Sequence, residues 1–273
     1  MPATTLITTQ QFSRQIGLPG APAVVDVRID DDYRADPRLV PGSLRRDYRA
    51  IASWAPEYRD KSVVVVCQRG QKLSEGTAAW LRHYGIDAQT LEGGFEAWKK
   101  AGEPLVRTEK MPPRDEKDRT VWVTRNRPKV DRIACPWLIR RFIDPDAVFL
   151  FVLPSEVTTV AERFNATPFD IEDVFWSHRG ETCTFDTMIE EFALKTGPLL
   201  QLAKIVRGAD TARPDLTPQS AGLLAASLGY SRMYREDLPQ LEAAMGFYDA
   251  MYRWCRDATN ETHNWPSQTG SRM

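Results

Sequence analysis

The first part of the chain alternates short apolar runs with stretches of helical periodicity. Residues 23–27 (AVVDV) are predicted to form a buried strand. Residues 62–66 (SVVVV) end in a continuous run of valines, which is typical of a strand covered on both faces. A helical pattern covers about residues 74–84, and a short strand near residues 89–91 precedes a helix through Trp98. Strands that alternate with helices in this way predict an α/β fold, with a parallel sheet and flanking helices.

Helical patterns dominate the second part of the chain. Residues 107–120 are charged, contain proline and show no apolar period, which predicts a linker after a first domain at residues 1–106. Strand-like runs follow at residues 121–124 and 148–153, and the later apolar residues recur at helical spacing. We therefore predict a mostly α-helical (α+β) second domain at residues 121–258.

Composition narrows the class of protein. The chain has 273 residues, more than one typical core needs, and its 42% hydrophobic and 27% charged residues are ordinary for globular proteins. The formal net charge is -1, from 36 basic and 37 acidic side chains, so we expect no nucleic-acid partner. No apolar run reaches the length of a membrane span, so we expect no membrane association. The polar residues 259–273 are predicted to form a flexible tail.

The cysteines indicate a compartment. Cys67, Cys135, Cys183 and Cys255 are widely spaced and form no CxxC pair. In a chain of this size, such a pattern is typical of free thiols in a reducing compartment rather than of a disulfide framework. The N-terminal residues show neither the basic flank nor the apolar run of a signal peptide. We therefore expect a cytoplasmic protein.

The strongest chemical signal surrounds Cys67. This cysteine directly follows a valine-rich strand, and a loop containing Gly70 leads from it into the next helix. Loop amides and the positive end of the helix dipole are expected to favour the thiolate, and Arg69 and Lys72 add positive charge. A thiolate is the form that attacks sulfane sulfur, and the same donors can hold the resulting persulfide. Alternatively, Cys67 is a small apolar residue at a strand end without chemistry.

Residues 5–106 resemble the rhodanese superfamily, whose active-site loop begins with cysteine and closes on a helix. The supporting segments, in chain order, are Asp26-Val27-Arg28, Pro41-Gly42-Ser43, the Cys67 loop, Leu91-Glu92-Gly93-Gly94 and Ala101-Gly102-Glu103-Pro104. The resemblance implies a sulfurtransferase with Cys67 as the catalytic nucleophile and no required cofactor. It also implies a substrate-binding set formed by Asp26, Arg28, Gln68, Arg69, Gly70, Gln71 and Lys72.

The same resemblance implies a ping-pong reaction between a small-molecule sulfur donor and a thiol or cyanide acceptor. Lys72 stands where many rhodaneses have arginine. Lysine is a point charge and lacks the planar fork that grips thiosulfate in a bidentate way. We therefore expect a sulfane-sulfur donor other than thiosulfate to be preferred.

From residue 121 to about residue 257, the chain resembles the C-terminal domain of the chromate-resistance protein family. The matching stretches are residues 129–144, 178–185 and 202–210. Fusion of this domain to a rhodanese domain is an arrangement associated with the same family. The resemblance implies a role in resistance to chromate, an oxyanion that imitates sulfate in charge and shape.

Ligand-type side chains in the second domain suggest a metal site. Glu181 follows His178 by three residues, a spacing that lets both side chains reach one ion. The predicted ligand set consists of Asp131, His178, Glu181 and Asp210, which Cys135 and Cys183 can join. Such a mixed set of nitrogen and oxygen ligands suits iron, manganese or zinc better than calcium.

Two other interpretations of this region stay open. The guanidinium groups of Arg132, Arg140 and Arg141 are suited to bind chromate, sulfate or a phosphate. Alternatively, Asp131 caps the helix that follows it, and His178 is a hydrogen-bonded structural residue.

Two functions are consistent with the sequence. The leading hypothesis is a rhodanese-type sulfurtransferase fused to a chromate-resistance domain, acting in sulfur or oxyanion stress. The alternative is a chromate- or redox-responsive sensor or regulatory protein without turnover. Turnover with a sulfur donor favours the enzyme, whereas tight chromate binding without turnover favours the sensor.

Overall fold

The computed structural model describes residues 5–262. Residues 263–273 of the predicted flexible tail lie outside this range. Within it, none of the helices combines the length and the apolar character that crossing a membrane requires.

The first domain is built around a parallel sheet. Its elements are β1 (Leu6–Ile7), α1 (Thr9–Ser13), β2 (Ala23–Asp26), α2 (Asp30–Ala35), β3 (Ser43–Arg45), α3 (Ile51–Trp54), β4 (Val63–Val66), α4 (Lys72–His83), β5 (Ala88–Leu91) and α5 (Gly94–Lys100). The strands pair in parallel in the order β1-β5-β4-β2-β3. The predicted α/β fold with a parallel sheet and flanking helices is confirmed.

The central position of β4 places the candidate nucleophile. β4 is buried along its whole length between β2 and β5, and Val66 at its end pairs with Asp26. The carboxyl ends of parallel strands meet at one edge of a sheet, where ligands of open α/β sheets bind. Cys67 after β4 therefore lies beside the Gly93–Gly94 turn after β5.

Helix α4 begins at Lys72, two residues before the predicted start at Ser74. Within the described chain, no side chain caps the helix at Gln71. Ser74, Thr77 and Leu81 are buried at helical spacing, so they share the face that packs against the sheet. Because the helix starts earlier than predicted, Ser74 lies within its first turn rather than at its first position.

The second domain combines a small sheet with a larger helical part. Its elements are β6 (Val121–Arg125), α6 (Asp131–Leu138), β7 (Val148–Val152), α7 (Val157–Phe164), β8 (Thr167–Pro168), α8 (Thr184–Glu191), α9 (Gly197–Asp210), α10 (Pro218–Met233) and α11 (Asp237–Asp257). The strands are parallel in the order β7-β6-β8, and α9 packs against α8, α10 and α11. The predicted mostly α-helical (α+β) class is confirmed.

The segment predicted as a linker is anchored at both ends. Residues 107–120 contain no helix or strand in the described structure. The N–H of Arg107 donates to the carbonyl of Phe192 at 3.2 Å. Thr120 is buried, and its N–H and hydroxyl donate to one carboxylate oxygen of Asp144 at 2.6 and 2.7 Å. These contacts hold the connection against the second domain.

The two domains share a buried apolar cluster, which includes Trp98 from the first and Trp137 from the second. Phe142, from a π-helical turn that continues α6, lies so close to Gly17 that a methyl group there would overlap its ring. The carbonyl of Phe142 accepts a hydrogen bond from the N–H of Gly42 at 2.7 Å. The domains are therefore packed together rather than only joined by the connecting segment.

Candidate functional site

Cys67 lies at the carboxyl edge of the sheet and is 5% exposed. Its Sγ is 3.1 Å from the hydroxyl oxygen of Ser74 and 3.8 Å from the carbonyl oxygen of Gln71. The Ser74 hydroxyl is also 3.0 Å from the Gln71 carbonyl, so it can donate to either acceptor. Hydrogen bonds to an ionised acceptor are stronger than neutral ones, so a thiolate at Cys67 would attract this donor.

Ser74 is a site residue that the sequence analysis missed. The sequence predicts that the helix starts at Ser74. The first residue of a helix gives no indication of which way its side chain points, so the contact with Cys67 could not be predicted. In the structure, the helix begins at Lys72 and Ser74 occupies its first buried position. The sequence offered one indication of this contact: Ser74 follows Cys67 by only seven residues, across the loop that joins the strand to the helix.

The turn after β5 fixes the backbone of the Cys67 loop. The carbonyl of Cys67 accepts the N–H of Phe95 at 3.0 Å, and the carbonyl of Gln68 accepts the N–H of Glu96 at 3.1 Å. Gly94 has a φ of 58°, and a methyl group on it would overlap the carbonyl oxygen of Cys67. Glycine is therefore the residue that this close approach requires.

A cavity of about 660 Å³ opens beside Cys67, a volume within the range of small-molecule sites. The exposed basic side chains of Arg69 and Lys72 line it together with the cysteine. The other lining residues are Ile29, Asp32, Tyr48, Gln68, Gln71, Leu73 and Glu96. The structure thus brings Cys67 together with four residues of the predicted substrate-binding set: Gln68, Arg69, Gln71 and Lys72.

The other three members of that set, Asp26, Arg28 and Gly70, lie outside this lining. Arg28 is buried, and its Nε donates to Asp26 at 2.8 Å. Its two terminal nitrogens donate to the carbonyls of Asp36 and Arg38 at 3.0 and 2.7 Å. Internal acceptors therefore occupy this guanidinium, and the Asp26–Arg28 pair does not line the Cys67 cavity.

A second constellation of polar side chains lies in the second domain. Nε2 of His178 is 3.1 Å from a carboxylate oxygen of Asp210, 3.4 Å from one of Asp170 and 3.6 Å from one of Asp131. Ligand atoms of Asp131, Asp170 and His178 all lie within 4.8 Å of one another. The structure therefore brings together three residues of the predicted ligand set and adds Asp170.

Asp131 caps a helix other than the one expected. It is the first residue of α6, but its Oδ2 accepts the N–H groups of Thr184 and Phe185, at 2.6 and 3.3 Å, at the start of α8. The capping interpretation is thus wrong about the helix, because α8 begins next to α6. Asp131 is fully buried, and its Oδ1 has no hydrogen-bond partner among the described residues.

Asp170 follows β8, and hydrogen bonds fix it in the cluster. Its Oδ1 accepts the hydroxyl of Thr184 at 2.9 Å, and its Oδ2 lies 3.3 Å from Nε of Arg132. Arg125 at the end of β6 also donates to the carbonyl of Asp170 at 3.1 Å. Arg132 therefore has a carboxylate partner in this structure.

Glu181 does not join the cluster. Its side chain is 87% exposed, and its carboxylate lies 3.1 Å from Arg213. The spacing argument for Glu181 and His178 fails because the chain turns between them, with Gly180 at a φ of 59°. The structure therefore corrects this part of the predicted ligand set, since Asp170 occupies the position expected for Glu181.

The remaining candidates of the second domain have other partners. Arg140 pairs with Glu242 at 2.6 Å, and Arg141 makes two 2.8 Å contacts with Asp249. Both arginines of the oxyanion interpretation therefore have a carboxylate partner in the structure. Cys135 and Cys183 are buried, and burial raises the pKa of both thiols well above the ordinary value.

The cluster perturbs its own protonation. Hydrogen bonds to Asp170 and then to Asp210 raise the pKa of His178 to about 10, against the opposing effect of partial burial. Burial is the main reason that the pKa of Asp131 lies well above its ordinary value, and the negative charges of Asp210 and Asp170 raise it further. Asp170 and Asp210 thus favour the protonated imidazole of His178, whereas burial favours the neutral form of Asp131.

Two models of known protein families match the two domains of the chain separately. The family model described as the ChrB, C-terminal domain matches residues 122–255, and the model described as the rhodanese-like domain matches residues 8–101. Protein ChrB of Cupriavidus metallidurans is 31% identical over 227 residues, which is 73% of this chain and 67% of that protein.

The first domain has relatives of its own. Thiosulfate sulfurtransferase GlpE of Pseudomonas syringae pv. syringae is 37% identical over 78 residues, which is 28% of this chain and 71% of that protein. Among solved structures, a rhodanese-related protein from Thermoplasma volcanium is 25% identical, with a TM-score of 0.33. The matched region covers 37% of this chain and 95% of the chain of the Thermoplasma volcanium protein. Both resemblances drawn from the sequence are confirmed: the chain belongs to the ChrB family and joins a rhodanese-like domain to a ChrB C-terminal domain.

Proposed function

We propose that this protein is a sulfurtransferase in which Cys67 carries a sulfane sulfur as a persulfide. The observation that carries the proposal is the position of Cys67 Sγ, 3.1 Å from the Ser74 hydroxyl in a cavity that also receives Arg69 and Lys72. The rhodanese-like match over residues 8–101 and the likeness to a thiosulfate sulfurtransferase support the same chemistry.

In the first half-reaction, the thiolate of Cys67 attacks the outer sulfur of the donor. With thiosulfate, a new S–S bond forms to Cys67, the S–S bond of the donor breaks, and sulfite leaves with the bonding electron pair. Arg69 and Lys72 attract the anionic donor into the cavity. The Ser74 hydroxyl stabilises negative charge on the attacking sulfur.

In the second half-reaction, a cyanide or thiol acceptor attacks the outer sulfur of the persulfide. The S–S bond to Cys67 breaks, and its electron pair returns to Cys67 as the thiolate. With cyanide, the product is thiocyanate. Because donor and acceptor react in turn at the same sulfur, one small cavity serves both, and the reaction is ping-pong.

We place this activity in sulfur and oxyanion stress. The ChrB C-terminal match covers residues 122–255, and chromate and sulfate are both tetrahedral dianions. All four cysteines are free and buried, which fits a reducing compartment, so we propose that the protein works in the cytoplasm. A sulfur-handling domain joined to an oxyanion-responsive domain is chemically consistent with that role.

Steady-state turnover of the full chain tests the proposal. Thiocyanate formation is measured with cyanide as the acceptor and either thiosulfate or mercaptopyruvate as the donor. We expect turnover above the uncatalysed background, with the parallel double-reciprocal lines of a ping-pong reaction and with thiosulfate as the poorer donor. Tight chromate binding with no turnover from any donor would identify a sensor and overturn the proposal.

A second test removes the hydroxyl next to the nucleophile. In Ser74→Ala, the Cys67 sulfur loses its 3.1 Å polar contact, so we expect kcat/KM for the donor to fall by about tenfold, the effect of one hydrogen bond to a charged group. Ser53→Ala is the matched control, because its hydroxyl donates to the carbonyl of Ala50 at 2.7 Å and does not line the cavity. Equal rates for both variants would remove Ser74 from the mechanism.

A further inference from the structure

The spacing of the second-domain cluster matches a metal coordination sphere. Adjacent ligand atoms bound about 2.0–2.2 Å from one ion lie about 2.8–3.6 Å from each other in octahedral or tetrahedral geometry. The three carboxylate oxygens next to His178 Nε2 lie 3.1, 3.4 and 3.6 Å from it. Ligand atoms of Asp131, Asp170 and His178 also lie within 4.8 Å of one another, so these three can reach one ion after small adjustments, and Asp210 is the carboxylate nearest to His178.

Protein donors alone do not satisfy this cluster. Nε2 of His178 can carry one hydrogen, which makes one good hydrogen bond, whereas carboxylates of Asp131, Asp170 and Asp210 all approach it. Asp131 Oδ1, on the same carboxylate as the Oδ2 that faces His178, is buried and has no hydrogen-bond partner among the described residues. A buried carboxylate oxygen without a partner is costly, and a cation is the partner that supplies positive charge to several oxygens at once.

The surroundings hold the cluster in place. The N–H groups of Thr184 and Phe185 orient Asp131, and the Thr184 hydroxyl orients Asp170. Hydrogen-bonded carboxylates of this kind are typical around metal ligands, since the outer contacts fix the ligand orientation. The His178 side chain is 41% exposed, which leaves a route from solvent to the cluster.

We propose that Asp131, Asp170, His178 and Asp210 bind one divalent transition-metal ion. Three carboxylates favour a hard cation, and the imidazole favours a transition metal over magnesium or calcium, so the set suits Mn²⁺ or Fe²⁺ best. The ion joins the start of α6, the segment after β8 and the end of α9. This site is separate from Cys67 and does not depend on sulfur transfer.

Metal retention by the full chain tests the site. Protein purified without a histidine tag is treated with EDTA, loaded with Mn²⁺ and desalted, and bound manganese is measured by elemental analysis and electron paramagnetic resonance. We expect one manganese per chain, a Tm that rises with Mn²⁺ concentration, and no displacement by Mg²⁺ at the same concentration.

Variants locate the ion. His178→Ala and Asp210→Asn are expected to weaken Mn²⁺ binding by at least about tenfold. Both side chains are partly exposed, so we expect these variants to fold. Asp131 is fully buried, so Asp131→Asn is a less suitable test. Glu181→Gln is the matched control, because Glu181 is close in sequence to His178 but exposed and paired with Arg213. We expect it to bind Mn²⁺ like the wild type.

Three results would overturn the proposal. The first is a wild type that retains no manganese and whose Tm does not respond to Mn²⁺. The second is unchanged binding in both His178→Ala and Asp210→Asn. The third is equal loss of binding in Glu181→Gln, which would indicate diffuse attraction to surface carboxylates. Thiocyanate turnover is measured on the same samples. It tests the Cys67 proposal independently, so failure of the metal proposal can be distinguished from failure of the sulfurtransferase proposal.

Discussion

Replacing Cys67 with serine is expected to lower the rate of sulfur transfer by on the order of a thousandfold or more. Serine is close to cysteine in size, so the contacts with Ser74 and Gln71 can persist, but its hydroxyl cannot carry sulfane sulfur as a persulfide. The measurement is the initial rate of thiocyanate formation by the full chain. Tm is measured alongside to show that the variant is folded.

Cys255→Ser is the matched control for this variant. Cys255 lies on α11, and burial raises the pKa of its thiol to about 11, so it remains protonated and weakly nucleophilic at neutral pH. We expect Cys255→Ser to retain the wild-type rate. A Cys67→Ser protein that transfers sulfur as fast as this control would remove Cys67 from the mechanism.

The second large effect is expected from Gly94→Ala. Gly94 has a φ of 58°, and the added methyl group would overlap the carbonyl oxygen of Cys67. The left-handed backbone and the overlap together cost about 2–5 kcal/mol. Such a loss is a large share of the stability of a typical domain. The Cys67 loop must shift to relieve the overlap, so we also expect kcat to fall.

Gly102→Ala separates the two causes. Gly102 also has a positive φ, 72°, but no atom lies within 4 Å of a methyl group placed there. Gly102→Ala therefore has the free-energy cost of a left-handed backbone conformation but no overlap with the Cys67 loop. Thermal unfolding should show a clearly lower Tm for Gly94→Ala than for Gly102→Ala, with reduced turnover in Gly94→Ala alone. Equal Tm and kcat for the two variants would contradict the role assigned to the Gly94 turn.

The first domain could largely be predicted from local patterns. A run of valines can be buried on both faces only in a covered strand, and β4 (Val63–Val66) lies within the predicted run of residues 62–66. The start of α4 could not be placed as well, since Gln71 provides no side-chain cap and the helix begins at Lys72. This shift of two residues hid the contact between Ser74 and Cys67.

The cluster of the second domain was predictable only in part. Asp131, His178 and Asp210 carry ligand-type groups, and the structure brings all three together. Asp170 follows a strand of two residues, β8, and nothing local distinguishes it from a turn residue. Glu181 has the right spacing from His178, but the turn at Gly180 directs it to solvent. Contacts between distant segments, rather than local periodicity, decide membership in this cluster.

Mapping the persulfide tests the central claim most directly. The full chain is incubated with a sulfur donor in the absence of an acceptor, freed of excess donor, digested and analysed by mass spectrometry. We predict a mass increase of one sulfur atom on the peptide that contains Cys67, and its loss on addition of cyanide. Added sulfur on Cys135, Cys183 or Cys255 with Cys67 unmodified would contradict the claim, as would a donor that is consumed while no cysteine gains sulfur.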